Sequence, residues 1–525
     1  MNQNGGIHKG GFAVLCHRNG GSESPGILMD LLFDPNRNKM TNMQLCRLYI
    51  DEFVKSKERK WMLDGEAYYV VDNPGIMNRK MFRYQENKAT GKIEAVPDLA
   101  KPNNKRAHGF MHILIEDKVN YLLSKPYSMT CEEAEEYLKL VQDVLGKTFQ
   151  AKRLMRLGVD ASNGGISWLH PYIDEEGKFK TMITKPGQGI PLWHDNDHEE
   201  MDAFLWFYDV DVIEGQAQKT ITKVEFWLPE GVAYYVSDSE GEGWDLRLDS
   251  ERYLNAASDE DGEMMEHFLV GNAPGTWGKV PFIPFKNNDY ELPDLKFVKT
   301  LIDGYDKARS DVANFMDEVR SIVYALKGYG GTDLGQFMRD LNYFRAISLD
   351  EDGSAEAINT SVDITAAKDD FEALKKDIYD FGQGVDKNSD QLGNSPSGIA
   401  LKFIYSGLDL KCNRMENAFK DGMRQLFWFV NRYLELTGAG SFYEHEIDIT
   451  FNRDIAINES QAITDCQNSK GVISDETIVK NHPWVEDADQ ELKLLRKQED
   501  AEKAEFSGMF PKQGKNSGGQ GGDGA

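Results

Sequence analysis

Residues 292–326 read LPDLKFVKTLIDGYDKARSDVANFMDEVRSIVYAL, and their spacing decides the fold. Leu295, Val298, Ile302, Tyr305, Val312, Phe315, Val319, Ile322 and Leu326 recur mostly at steps of three and four, and no proline follows Pro293. Apolar residues at that spacing form one stripe of an α-helix. At 1.5 Å per residue the stripe predicts a single helix of roughly 50 Å, ended by the glycines of KGYGG at 327–331.

Downstream the texture repeats. Residues 327–362 are short, mixed and glycine-interrupted, which predicts small strands and turns. A second helix is expected at 365–382, with Ala367, Phe371, Leu374, Ile378 and Phe381 on its apolar face; Lys368, Asp369, Asp370, Glu372, Lys375, Lys376 and Asp377 cover its other faces. The polar, turn-rich segment GVDKNSDQLGNSPS (384–397) then reads as a loop with possible hinges at Gly384, Gly393 and Gly398. Ser395 or Ser397 is a natural N-cap for a third long helix, 397–436, striped by Leu408, Met415, Phe419, Leu426, Val430 and Tyr433. The strand HEIDITF (445–451) and an acidic helical region to about 506 follow, and 507–525 is a flexible tail by composition.

Upstream, the Gly- and Asn-rich residues 1–25 are expected to be disordered. Residues 40–158 read mainly as helices, one of them carrying Met111, Leu114, Val119 and Leu122 before Pro126. Residues 166–237 turn to strands: ISWLHPYI and KFKTMIT flank the turn DEEG, and Thr222, Val224, Phe226 and Leu228 alternate onto one face. The acidic, Gly/Ser-laced stretch 238–265 is expected to be an exposed loop. The class is therefore α+β, with long helices gathered in the second half.

At 525 residues, 40% hydrophobic and 11% aromatic, the chain can build two to four packed modules. A net charge of −27 repels phosphate backbones and excludes a broad DNA-binding face, while suiting a surface past which DNA slides. Five scattered cysteines, Cys16, Cys46, Cys131, Cys412 and Cys466, make neither a disulfide framework nor a CxxC metal site. No apolar run approaches the ~18 residues of a membrane span, and the N-terminus has no signal-peptide pattern. These features predict a soluble, intracellular protein with no membrane partner.

Enzymatic motifs fail one by one. Gly146-Lys147-Thr148 resembles the end of a phosphate-binding loop, but Val141 stands where its first glycine belongs and a helical pattern precedes it. GTWGKV has Val280 in place of the Mg²⁺-binding hydroxyl and Ala273 in place of the first glycine. SDEDGEMM is no EF-hand, because Ala257 and Phe268 occupy its first and twelfth positions. The best metal candidate is HDNDHEEMD, with His194, Asp195, Asp197, His198 and Glu199 close together but not in HExxH spacing. It supports the alternative of a soluble, cytoplasmic metal-dependent enzyme. A non-pore scaffold or tail component is a third reading.

Three stretches resemble the portal (head–tail connector) proteins of long-tailed phages of Gram-positive bacteria. They are VPFIPFKNNDYELPDLKFVKTLIDGYDKARSDVANFMDEVRSIVYALKGY (280–329), NSPSGIALKFIYSGLD (394–409), and IDITFNRDIAINESQAITDCQNSKGVISDETIVKNHPWVEDADQELKLLRKQE (447–499). NYLLSKPYSM (120–129) and VDASNGGISWLHPYIDEEGKFK (159–180) match more weakly.

The resemblance implies a dodecameric ring at one capsid vertex, assembled in the host cytoplasm. It implies double-stranded DNA in the channel, and as partners a terminase large subunit, major capsid and scaffolding proteins and a head-completion adaptor. It implies no catalytic residue, no cofactor and no metal. The subunit divides into a wing (26–290, with a strand at 441–452), a first stem helix (291–326), a clip (327–362), and a second stem helix (363–383). A tunnel loop (384–397), a tunnel helix (398–440) and a helical crown (453–506) complete it. The long acidic insert at 238–265 and the Gly-rich tail depart from the family pattern.

Two sets of site residues follow. In the tunnel loop, Asn388, Ser389, Gln391 and Asn394 offer short neutral groups to passing phosphates, and Lys387 is flanked by Asp386 and Asp390, which offset its charge. In the clip, Asp333, Asp340, Glu351 and Asp352 give an acidic docking surface for terminase and adaptor.

Overall fold

The computed structural model describes residues 40–498 apart from 100, 132–133, 216, 239–243, 253–263, 271–272, 320–322, 328–353, 359–363, 388–397, 454–458, 486–487 and 489. The expectations for 1–25 and 507–525 lie outside the described residues. The chain forms two compact units, one of residues 1–386 with 407–454, the other of 387–406 with 455–525.

The first unit opens with helices set by their caps. Thr41 precedes α1 (Asn42–Lys55); its hydroxyl accepts from Gln44 N while the Gln44 side chain accepts from Thr41 N, which satisfies two helix-end donors at once. Ser56 caps α2 (Lys57–Tyr69) by accepting from Arg59 N. An antiparallel hairpin of β1 (Phe82–Glu86) and β2 (Ile93–Pro97) follows. Next come α3 (Phe110–Leu123), β3 (Ser128–Thr130), α4 (Glu135–Leu145) and α5 (Met155–Gly164). Met111, Leu114, Val119 and Leu122 are all buried in α3, as their spacing predicts.

The strand region holds β4 (Ile166–Ile173), β5 (Phe179–Thr184), β6 (Gly189–Trp193), β7 (Met201–Glu214), β8 (Ala217–Leu228), β9 (Gly231–Ser237), β10 (Leu246–Leu248), β11 (Phe268–Val270), β12 (Ala273–Gly275) and β13 (Ile283–Lys286). The expected β4–β5 hairpin forms around Asp174–Gly177, where Gly177 takes φ +77° and the Asp174 carboxylate accepts from Glu176 N and Lys178 N. An antiparallel five-stranded sheet runs in the order β10-β9-β8-β7-β6, beside a three-stranded sheet β13-β4-β5.

Both faces of the larger sheet are covered. Leu205, Phe207, Val224 and Phe226 pack against Cys46, Tyr49, Ile50 and Phe53 of α1. Phe204 and Trp227 pack against Trp168, Val280 and Phe282 on the opposite side. Sequence alternation shows one apolar face of β8 because its other face carries Glu225, which is buried and accepts from Tyr208 Oη (2.9 Å) and Trp227 Nε1 (3.0 Å).

The acidic insert departs from expectation. Leu246 of β10 is in the core and Trp244 packs against it, so this part is an edge strand of the sheet. A short apolar pair among acids is enough to extend an existing sheet edge.

In the second half, α6 (Leu295–Val319) is shorter than predicted. The chain is already extended at β14 (Val323–Lys327), which pairs antiparallel with β15 (Ser354–Ile358). Ile322 and Leu326 continue the helical stripe by position in the sequence, but Val323 and Tyr324 between them are β-branched and aromatic, types that favour a strand. The buried stripe of α6 also changes chemistry, from Leu295, Val298 and Ile302 to Asp306, Ser310 and Asn314.

Helix α7 (Ile364–Gly382) packs along α6, with Arg309 over the Phe371 ring at 4.9 Å and Tyr305 edge-on to it. Phe371 and Ile378 are buried as expected, but Phe381 is exposed. The helix unwinds at Gln383 (φ +54°), which breaks the register and turns Val385 inward in its place. Gly384 owes its identity to packing: a Cβ there would stand 2.2 Å from Leu114 Cδ2. Helix α8 (Gly398–Leu436) buries Leu408, Met415, Phe419, Leu426 and Val430, and Tyr433 donates to Gly177 O at 3.1 Å. Strand β16 (Asp448–Thr450) pairs with β3.

In the second unit, α9 (Glu459–Asn468) precedes α10 (Asp475–Lys480), which Ser474 caps by accepting from Thr477 N.

Candidate functional site

The start of α6, the end of α7 and the body of α8 meet at one buried carboxylate. Asp294, the residue before α6, takes the Lys118 ammonium of α3 at 2.6 Å and the Lys411 ammonium of α8 at 3.0 Å. Asn287 completes the cluster, accepting from Lys118 Nζ (2.7 Å) and donating to Asp294 Oδ1 (2.9 Å). Lys411 also donates to Gly382 O, the last residue of α7, at 2.9 Å. Burial opposes the charge on Asp294, yet Lys118 and Lys411 outweigh it and hold the carboxyl well below the usual range. Burial lowers Lys118 to about 8, since Asp294 returns only part of what water supplied.

A polar seam runs on along α6. Asp306 accepts from Asn73 Nδ2 (2.5 Å) and lies 2.7 Å from His108 Nδ1. Ser310 Oγ accepts from Arg106 N (3.0 Å), Asn314 Oδ1 accepts from Asn104 N (2.6 Å), and Arg79 pairs with Asp311. The segment before α3 is thus pinned along the helix by specific hydrogen bonds, which fix register more tightly than an apolar contact. On α8, Arg453 bridges Asp409 and Glu416, the latter at 2.6 Å.

Of the predicted loop residues, Asp386 and Lys387 are described; Asn388, Ser389, Asp390, Gln391 and Asn394 are not. The Asp386 carboxylate pairs with Lys375 of α7 at 2.8 Å, which draws it back onto the helix. The clip residues Asp333, Asp340, Glu351 and Asp352 lie outside the described residues.

The His194–Glu199 cluster does not converge on a point. His194 faces Asp202 (3.0 Å), while His198 stacks on Trp193 and lies 2.8 Å from Glu291. Burial raises the pKa of Asp195, but its carboxylate accepts from Glu199 N and Glu200 N, and the backbone bonds together outweigh burial and lower it. Among the described residues no group of three His, Cys, Asp or Glu is placed to hold a metal ion. Gly146 ends α4 at φ +74°, so GKT follows a helix, and Lys279 lies over the Trp428 ring at 4.6 Å.

Sequence reasoning missed the Asp294 cluster. Its signal was Lys118, a charge midway between Leu114 and Leu122 on the apolar stripe of α3. Asp306, four residues after Ile302, is a second such signal.

No helix among the described residues is long and apolar enough to cross a membrane. Residues 55–505 match the family described as "Phage portal protein, SPP1 Gp6-like". The chain is 29% identical over 452 residues to the portal protein of Bacillus phage SPP1, covering 86% of each. It is also 29% identical over 439 residues to the portal protein of Clostridium phage phiCD119, covering 80% of this chain and 91% of that one. Among solved structures it is similar to a chain in the neck of an empty GTA particle, at TM-score 0.39 and 13% identity, over 70% of this chain and 88% of that chain. Over most of its length, then, the chain belongs to the SPP1 Gp6-like family of phage portal proteins, structural proteins of the phage particle and not enzymes.

Proposed function

We propose that twelve copies of this chain close a ring at one capsid vertex, through which double-stranded DNA is packaged and later ejected. ATP is hydrolysed by a separate terminase that docks on the clip, and a head-completion adaptor takes its place afterwards. Major capsid and scaffolding proteins surround the ring during assembly in the host cytoplasm. In this reading residues 26–290, with β16, are the wing. Helices α6 and α7 are the stem, β14 and β15 belong to the clip, and α8 is the tunnel helix. Residues 384–397 are the tunnel loop, and α9 and α10 belong to the crown.

One observation carries the reading. Lys411 joins the start of α6 to the end of α7 on the flank of α8, so both stem helices and the tunnel helix share one rigid node. The loop 384–397 springs from that node and connects α7 to α8. Rigid helices on either side of a polar loop suit a channel constriction. The net charge of −27 supports brief contact with DNA, because few counterions are released on binding.

The test is packaging in vitro with Ser389→Lys and Asp390→Lys together, which leaves the Asp386–Lys375 pair intact. Rings should form, and DNA uptake should stall as twelve copies multiply the added charge into a clamp. Normal genome uptake by intact variant rings sinks the channel assignment.

A further inference from the structure

Two stretches of the first unit are free of acidic residues. Residues 144–159 (VLGKTFQAKRLMRLGV) hold Lys147, Lys152, Arg153 and Arg156, and residues 177–194 (GKFKTMITKPGQGIPLWH) hold Lys178, Lys180 and Lys185. All 87 acids of the 525-residue chain lie elsewhere. The fold brings the two stretches together, since Arg153 Nε donates to Thr181 Oγ1 of β5 at 3.2 Å. After Gly146 the first stretch re-enters helix through one π turn, Gln150–Leu154, where Met155 N reaches back five residues to Gln150 O. Such wide turns recur at functional sites.

Three of the bases already have partners. Lys178 pairs with Glu176 at 2.6 Å and Lys185 with Glu66 at 2.5 Å, while Asp160 holds Arg156 loosely at 3.7 Å. Lys147, Lys152, Arg153 and Lys180 make no ion pair among the described residues, and all but Arg153 of these four are fully exposed. Thr148, Lys152 and Arg156 follow at steps of four on the exposed side of the helix, so the bases form a narrow ridge.

The chemistry of the ridge selects its partner. Neither stretch exposes a large apolar side chain. Protein interfaces are built on aromatic and apolar anchors and are depleted in lysine, so an acidic protein fits poorly. Phosphate backbones are held by exposed Lys and Arg with short hydroxyl groups such as Thr148. A net charge of −27 excludes a broad DNA-binding face, but a narrow acid-free ridge escapes that repulsion. We propose that Lys147, Lys152, Arg153, Arg156 and Lys180 track the phosphate backbone of double-stranded DNA, at a contact separate from the loop 384–397. The choice of DNA as the polyanion rests on the ring reading above.

The test is fluorescence anisotropy of a labelled DNA duplex with the full-length protein, between about 50 and 200 mM salt. Lys147→Ala with Lys152→Ala should weaken binding at least tenfold at the lowest salt, and should flatten the fall of log K with log salt by about 0.9 for each lost phosphate contact. Lys88→Ala with Lys92→Ala makes the same charge change on the exposed β1–β2 turn and should bind like the parent. Equal losses in the two variants overturn the proposal, because net charge and not the ridge then sets affinity. Parental binding by the first variant overturns it as well. So does a first variant that cannot close the rings its parent closes in the electron microscope, since the ridge is then a contact between copies. A parent that forms no rings, but whose ridge variant loses DNA, contradicts the ring reading alone. Parent rings that bind no duplex contradict the ridge alone.

Discussion

Lys411 lies 3.0 Å from Asp294; the aspartate is nearly sealed from water and the lysine is mostly buried. The contact joins the middle of the longest helix to the residue that opens α6. Lys118 shares the same carboxylate, so one aspartate is the common counter-charge of two lysines. Removing it leaves Lys118 fully buried and Lys411 mostly buried, both without that counter-charge. Asp294→Asn should therefore lower unfolding free energy at pH 7 by about 3–5 kcal/mol, read from urea midpoints. The depressed pKa of Asp294 means that its contribution is present above about pH 4 and is lost only as pH falls through the folded value. A variant as stable as the parent at pH 7 contradicts this account of the node.

Asp160 predicts the opposite pH dependence. Burial pushes its carboxyl up to about 6; Arg156 stands off at 3.7 Å, and Oδ2 has no hydrogen-bond partner. Between about pH 4 and pH 6 the folded chain holds a proton that the unfolded chain has released, so stability from this group falls as pH rises. Asp160→Asn should raise stability at pH 8 by about 2–3 kcal/mol, with the gain fading by pH 4. Thermal unfolding at the two pH values checks it; an equal gain at both points to packing instead of titration.

The clip carries the docking prediction. Reversing Asp333, Asp340, Glu351 and Asp352 to lysine should leave rings intact and block packaging, because a basic partner loses its steering field. Packaging at the parental rate moves the docking surface elsewhere.

Neither glycine-lysine pair should support nucleotide turnover. Lys279→Ala removes a cation–π contact with Trp428 and should cost about 0.5–1 kcal/mol of stability. ATP hydrolysis by the purified chain should be at background, and turnover that persists in Lys147→Ala with Lys279→Ala reveals a nucleotide site elsewhere.

The parts of the fold legible in the sequence were those with a long, clean period. The α3, α7 and α8 stripes and the β4–β5 hairpin emerged directly, since apolar spacing reports which face is buried. The end of α6 was not legible, because Ile322 and Leu326 fit a helix by position while Val323 and Tyr324 between them favour a strand by shape. Phe381 fits its stripe too, but the turn at Gln383 rotates the chain before the stripe can be used. The Asp294 node was hidden for a different reason. Its members stand 176 and 117 residues from Asp294 in sequence, and only tertiary packing brings Lys118 and Lys411 to one oxygen. A lysine on an apolar stripe was the one local sign that such a partner exists.

The ring is the central claim, and electron microscopy of the purified, full-length protein tests it most directly. The account predicts closed rings with an axial channel, in which density for residues 384–397 lines the narrowest point. A population of compact monomers, or rings with that loop on the outer rim, would contradict it.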